Sequence, residues 1–327
     1  VKLRELGRTG LRISEIGFGC GAQAGLMVRG EAQAQARAIA RAIELGINYF
    51  DTAAQYGDGR SEQNLGRTLR DLKADVHVAT KLQFGQAELN AGKHAVRALL
   101  DASLSRLGRD SVDVLYYHGR LRRASDVGAR DLTAADALGP LLAIFRDFQH
   151  EGLTRFIGFT ALGQTDAVLE AIRPGAFDAM QCYVNAVNPS AAYPAPSQFG
   201  PQDLGGILTK AASVGMGVAA IRILAAGALA ATERHPLSGG GSGPAMAGAD
   251  YATDVSRAAR LEPLAKELGI SMAELAIRFA LSVPGVSTAL VGVSDVTQIE
   301  FAVHAEEAGP LPDHVVTRIV ALNEDPA

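Results

Sequence analysis

Four residues of the 327-residue chain have types and spacing suited to proton transfer: Asp51, Tyr56, Lys81 and His118. Asp51 closes INYFD, Tyr56 follows five residues later in DTAAQYG, Lys81 closes VHVATK and His118 closes VDVLYYH. A phenol is a weak acid, with a reference pKa of about 10. An ammonium about 4 Å away favours the phenolate by about 4 kcal/mol at an effective dielectric of 20, or about three pK units, against which desolvation works. With Lys81 beside it, a pKa near neutrality is within reach of Tyr56. Singly, each residue has a plain structural role: an exposed lysine, a packed tyrosine, a helix-capping aspartate, a hydrogen-bonded core histidine. Their coincidence at three consecutive strand ends points to a site.

What must position them is a repeating unit of helical face, glycine and short β-type run. Ala32, Ala36, Ile39, Ala40 and Ile43 share a helical face, Gly46 can supply a left-handed cap, and INYFD follows as a buried strand. Val96, Leu99, Leu100, Leu104 and Leu107 precede Gly108 and VDVLYYH in the same way. Leu141, Ile144, Phe145 and Phe148 precede Gly152 and RFIGF, while Gly175 and Gly215 precede FDAMQCYV and MGVAAIRI. Strands near 16–19, 76–80 and 286–291 complete a set of eight. Strict βα alternation implies parallel strands, and eight units predict a (β/α)8 TIM barrel, with a doubly wound open sheet as the structural rival. KLREL and LRI, around Gly7 and Gly10, predict an N-terminal β-hairpin on the barrel floor. No linker divides residues 1–327, which are expected to form a single domain with extended loops on the C-terminal face. Residues 238–250, SGGGSGPAMAGAD, are expected to be a surface loop or a flap over a cofactor. Gly19, Gly21 and Ala24 fit G-x-G-x-x-G/A, but the helical pattern begins only near Glu31, too late to aim helix amides at a pyrophosphate.

Composition narrows the function classes. Thirty-one Lys and Arg against 35 Asp and Glu give a formal charge of −4, without the basic excess a general nucleic-acid binder uses to displace counterions. Cys20 and Cys182 form no CxxC pair, and the polar start VKLRELGRTG lacks a signal-peptide core, so a cytoplasmic protein is expected. Val214 to Ala231 is largely apolar, yet Arg222 and its glycines favour a buried strand and loop over a membrane span. His77, His94, His150, His235, His304 and His314 form no metal motif, and neither a serine nucleophile elbow nor a P-loop lysine motif occurs.

NYFDTAAQYGDGRSEQNLG, VATK and YYH resemble the catalytic motifs of the aldo-keto reductase family, and the likeness runs from ELGRTGLRISEIGFG to VSTALVGVSDVTQIE. The resemblance implies a (β/α)8 enzyme that reduces an aldehyde, ketone or sugar carbonyl, or oxidises the alcohol, with NADPH or sometimes NADH and no metal. Hydride arriving at a carbonyl carbon leaves negative charge on oxygen, so a proton donor is needed there. By the resemblance Tyr56 is that acid, Asp51 holds Lys81 charged and oriented, and His118 donates a hydrogen bond to the carbonyl oxygen. Some relatives are auxiliary subunits of ion channels, so a cofactor-sensing regulatory or binding subunit is the alternative.

The resemblance also assigns cofactor contacts. Gln181 in MQCYVN should meet the nicotinamide amide, and Gly158–Phe159–Thr160–Ala161 replaces a more usual Gly-x-Ser-Asn, keeping a hydroxyl at Thr160. Ile221 stands near the usual stacking aromatic, beside Arg222, Leu224 and Gly227, with Arg222 a candidate for cofactor phosphate. The segment with Gly292, Ser294 and Gln298 resembles the family's adenosine-phosphate site in outline, but presents Gly292, Gln298 and Ala302 where many relatives have a Lys or Arg and a late Asn. NADP(H) is favoured by the resemblance, with NAD(H) as the alternative. No Trp and few aromatics favour a small carbonyl or sugar substrate. Arg120, Arg122, Arg123 and Arg130 follow His118 closely, either as a solvated basic loop or as a site for an anionic substrate.

Overall fold

The computed structural model describes residues 1–196, 199–230, 235–238 and 250–323. Two short strands, β1 (Leu3–Glu5) and β2 (Arg12–Ser14), pair antiparallel as the expected hairpin. Eight parallel strands then close a barrel: β3 (Ile16–Gly19), β4 (Tyr49–Asp51), β5 (His77–Leu82), β6 (Val112–Tyr117), β9 (Thr154–Thr160), β10 (Ala179–Tyr183), β11 (Gly217–Ile221) and β12 (Thr288–Gly292). The strands β7 (Arg120–Arg122) and β8 (Asp131–Thr133) pair outside the barrel, in the connection that follows β6. The architecture is the (β/α)8 barrel that the repeating pattern predicts. The open-sheet rival falls with the closure of β12 onto β3.

Strand alternation sorts the apolar residues into two cores. Phe18, Phe50, Val78, Leu115, Phe159, Met180 and Val218 face outward and pack against the helices in one large cluster. Tyr49, Ala79, Tyr116, Ala179, Ala219 and Leu290 face inward and meet Leu6, Leu11 and Ile13 of the hairpin, which stops the floor of the barrel. Gly158 belongs to this inner face because a Cβ there would lie 2.7 Å from the Tyr116 ring and 2.3 Å from the Ala179 carbonyl. The plug is pinned below by Arg8, whose guanidinium donates to the Gly175, Phe177 and Val214 carbonyls.

Two residues beyond that inner layer, towards the C-terminal rim, the same faces carry Asp51, Lys81, His118, Gln181, Ile221 and Gly292. The filled lower layer thus supplies a rigid base for the polar one, as expected of residues at barrel strand ends. Most of the glycine-rich 238–250 segment, residues 239–249, lies outside the described residues. No described helix is long and apolar enough to cross a membrane.

Candidate active site

β4 delivers Asp51 and β5 delivers Lys81 into the barrel mouth, where Lys81 Nζ donates to Asp51 Oδ2 at 2.5 Å and to the Thr52 carbonyl at 2.7 Å. The Lys81 side chain is fully buried and that of Asp51 is 5% exposed. The other carboxylate oxygen of Asp51 accepts from the Gln181 amide on β10. Lys81 Nζ also reaches the Tyr56 hydroxyl at 3.3 Å. Asp51, Lys81 and Tyr56 therefore form one connected chain.

Tyr56 sits on the turn between β4 and the helix Arg60–Asp71. The turn is closed by Tyr56 N–H to the Ala53 carbonyl (3.1 Å) and Ser61 N–H to the Tyr56 carbonyl (3.2 Å). Ser61 Oγ then donates to the Cys20 carbonyl at 2.9 Å, tying the turn to the end of β3. Gly59 (φ +85°) is required here, since a Cβ would meet Arg106 Cδ at 2.5 Å. Arg106 in turn holds buried Glu62 at 2.6 Å, and Glu62 accepts from Thr80, the neighbour of Lys81. The expected tyrosine is thus clamped to the strand that carries the expected lysine.

His118 lies one residue past β6, with its N–H bonded to the Leu82 carbonyl at 2.7 Å. Its ring stands edge-on to Tyr56, with centroids 5.9 Å apart and planes at 88°. Nδ1 is 3.0 Å from Gln55 Oε1. Burial, helped by the charge of Lys81, pushes the His118 pKa down to about 3, so the ring is neutral at physiological pH.

At Tyr56 burial outweighs the pull of Lys81 towards neutrality. Burial raises its pKa above the ordinary tyrosine value, Lys81 opposes this, and the Asp51 charge adds to the rise. Burial works against the charge of Lys81 as well, yet Asp51 and Tyr56 hold that lysine above its ordinary value. Tyr56 is therefore a fully protonated donor beside a fully charged ammonium.

The remaining candidates are more dispersed. Thr160 Oγ1 donates to the Tyr117 carbonyl at 3.1 Å, so its hydroxyl proton serves the barrel wall. Ile221, Arg222, Leu224 and Gly227 line the bend after β11, where Arg222, Ala225 and Ala226 take left-handed φ of +56°, +48° and +56°. Gly292 ends β12 beside β3. Ser294 Oγ donates to the Ala24 carbonyl, and Gln298 Oε1 accepts from Ser294 N–H at 2.7 Å. Asp295 caps the helix Val296–Glu307 by accepting from Gln298 N–H at 3.1 Å.

Arg120, Arg122 and Arg123 line a cavity of about 1010 Å3. Asp166, Gln202 and Asp203 line it as well, and none of Asp51, Tyr56, Lys81 or His118 does. Arg122 is paired with Asp131 (3.5 Å) and Arg123 with Asp166 (2.6 Å). The basic loop is thus partly neutralised by acids of its own neighbourhood. Among the described residues no cluster of His, Cys, Asp and Glu has the makings of a metal site.

Two residues at the site carry no sequence signal of their own. The Thr52 carbonyl binds Lys81 through its backbone, which any residue could do. Gln55 stands inside DTAAQYG, but only the fold brings its amide to His118.

Comparison with known proteins agrees with this fold. Residues 15–324 match the model of the aldo/keto reductase family. The chain is 33% identical to L-galactose dehydrogenase of Arabidopsis thaliana, across 92% of this chain and 86% of that protein. It is also 29% identical to a probable voltage-gated potassium channel subunit beta of Oryza sativa, across 98% and 96% of the two chains. The solved aldo-keto reductase AKR11C1 from Bacillus halodurans (holo form) superposes with a TM-score of 0.72 over 98% of this chain and 96% of that one, at 24% identity. With barrel, buried ion pair and family match in agreement, the chain belongs to the aldo/keto reductase family.

Proposed function

We propose that the protein interconverts a carbonyl and its alcohol with a nicotinamide cofactor, that a neutral sugar or small carbonyl is its substrate, and that Tyr56 is the general acid and base. The observation that carries this reading is the buried chain from Asp51 through Lys81 to the Tyr56 hydroxyl. In reduction Tyr56 gives its proton to the substrate oxygen as negative charge develops there. Lys81, at 3.3 Å, stabilises the phenolate left behind, and Asp51 keeps Lys81 charged in dry surroundings. His118 adds a neutral ring nitrogen that orients the substrate oxygen. The ion pairs of Arg122 and Arg123 favour a neutral substrate over an anionic one.

The rim fits such a cofactor. Left-handed backbone at Arg222, Ala225 and Ala226 costs about 1–3 kcal/mol per residue, a strain that collects at ligand-holding segments. Gln181, Thr160, Ile221, Arg222, Leu224 and Gly227 would hold the nicotinamide half, and Gly292, Ser294 and Gln298 the adenosine half. A bound nicotinamide supplies or takes up the hydride. The resemblance favours NADP(H), but residues 292–302 contain no Lys or Arg and place Asp295 at the helix start. That carboxylate repels an added phosphate, so we favour NAD(H).

Turnover with NADH and NADPH over a panel of aldoses and small carbonyls, in both directions, tests this reading. NADH is expected to bind more tightly than NADPH, and Asp295→Asn should narrow the gap about fivefold, corresponding to ~1 kcal/mol at a helix N-terminus. Tighter NADPH binding in the unaltered protein would reverse the cofactor assignment. Near-complete coverage of the potassium-channel beta-subunit relatives favours a second reading, a cofactor-sensing subunit. Cofactor binding without turnover on any substrate would support it.

His118 also makes a stability prediction. Its folded pKa of about 3 lies below the unfolded value of about 6.5, so between these limits the unfolded chain binds more protons. The stabilisation is present above pH 6.5 and is lost as pH falls towards 3. His118→Gln should therefore flatten the acid limb of a denaturation-versus-pH curve, and an unchanged limb would contradict a buried neutral imidazole.

A further inference from the structure

We propose that Ser61 and Glu62 are positioning residues that together set the gap between the Lys81 ammonium and the Tyr56 hydroxyl, Ser61 from the front of the strand that carries Lys81 and Glu62 from behind it. The inference rests on the functional reading above, in which Lys81 stabilises the Tyr56 phenolate. Alternation along β5 sends Ala79 and Lys81 into the barrel and Thr80 out towards the helices. There Glu62, in the first turn of the helix Arg60–Asp71 and 0% exposed, accepts from Thr80 Oγ1 at 2.5 Å and from Arg106 Nε at 2.6 Å. One carboxylate oxygen thus holds the strand, and the other is anchored to the helix Lys93–Leu107. Burying a carboxylate is costly unless it is paired and hydrogen-bonded, and packing alone could be served by an apolar side chain. A carboxylate here gives the strand a directional hold.

The residue before Glu62 holds the tyrosine. Ser61 N–H bonds to the Tyr56 carbonyl at 3.2 Å, and the Ser61 hydroxyl gives its one proton to the Cys20 carbonyl. The Thr52 hydroxyl, 2.8 Å away, must therefore donate to Ser61 Oγ. Thr52 is also the residue whose carbonyl accepts from Lys81 Nζ at 2.7 Å. Two consecutive residues thus tie the backbone of the acid to the partner of its lysine on one side and to the strand of its lysine on the other. The gap they span matters steeply because it is short. At an effective dielectric of 20, lengthening the 3.3 Å contact by about 1 Å weakens the ammonium–phenolate attraction by close to one pK unit. The groups facing Tyr56 are Lys81, Asp51, Cys20 and the ring of His118, and of the first three only Lys81 favours the phenolate.

The test is carbon NMR of the full-length protein carrying 13Cζ-labelled tyrosine, with Tyr56 assigned by its absence in Tyr56→Phe and its ionisation followed from neutral into alkaline pH. Thr80→Val keeps the branched shape and removes the hydroxyl that Glu62 grips. At a given pH below the midpoint its Tyr56 should be ionised about tenfold less than in the unaltered protein, and Thr80→Ser, which restores the hydroxyl, should bring the curve back. In Thr80→Val kcat for carbonyl reduction should fall about three- to tenfold with cofactor affinity unchanged, because a less stabilised phenolate makes a weaker acid. Ser61→Ala loosens the other tie without removing a charge, should displace the curve the same way, and carries the test alone if Thr80→Val does not fold. A Tyr56 curve that overlays that of the unaltered protein in either folded variant would overturn the proposal and leave these residues a role in stability only. The curve is read without substrate, so a displaced curve with no turnover in any of the proteins supports the positioning and counts against the reductase reading alone.

Discussion

Tyr56→Phe should lower kcat for carbonyl reduction by about 10²–10⁴-fold, the usual contribution of a positioned general acid, while leaving the fold and cofactor affinity in place. The phenyl ring fills the same space, and the loss is one 3.3 Å contact to Lys81, about 1 kcal/mol of stability or less. Steady-state kinetics, cofactor titration and thermal denaturation of the variant check the three parts separately. No neighbour can substitute as the acid. His118 is unprotonated far below neutral pH. Lys81 commits protons to Asp51 and the Thr52 carbonyl, and it sits in surroundings that keep it charged. Full activity in the Tyr56→Phe variant would remove the tyrosine from the mechanism. The raised pKa also fixes the pH response: reduction uses the protonated phenol and should be level through neutrality, whereas oxidation uses the phenolate and should climb towards alkaline pH.

The barrel and its polar rim could be foreseen because alternation along a strand is a local property. Once INYFD, VHVATK and VDVLYYH are taken as buried parallel strands, Asp51, Lys81 and His118 must fall at one end of them. What sequence could not weigh was the balance of opposed terms at Tyr56. Lys81 was foreseeable as its neighbour, but the extent of burial and the Asp51 charge on the far side of Lys81 are products of the fold, and together they reverse the expected shift. The arginine loop differs for another reason. Its neutralisation depends on β7 and β8, strands of three residues each, too short to leave a periodic signal, which bring Arg122 to Asp131. Gln55 is the third kind of case: a glutamine beside a tyrosine is ordinary until the end of a separate strand places a histidine against it.

The buried Asp51–Lys81 pair should produce the largest stability effects in the protein. Breaking a buried pair by removing one partner typically costs about 3–5 kcal/mol, because the other charge is left in a dry site. Lys81→Met and Asp51→Asn should each fall in that range, and their pH signatures should be opposite. Burial already raises the Asp51 carboxyl above the usual carboxylate range even with Lys81 and Gln181 pulling it down. Without Lys81 it rises further, so the lone carboxyl is tolerated when protonated and its site loses stability as pH rises through that raised value. The deficit of Lys81→Met is thus larger at pH 8 than at pH 5. In Asp51→Asn the burial that opposes the lysine charge loses its main counterweight and the Lys81 pKa falls. That deficit is present in acid and shrinks as the ammonium deprotonates. The double variant Asp51→Asn/Lys81→Met leaves no charge at this pair and should recover most of the lost stability, while carbonyl reduction stays impaired because nothing stabilises the Tyr56 phenolate. Denaturant unfolding of the four proteins at the two pH values, with kcat measured alongside, separates the roles. Additive losses in the double variant would show that the pair is not coupled, and recovered activity would show that Lys81 serves the fold alone.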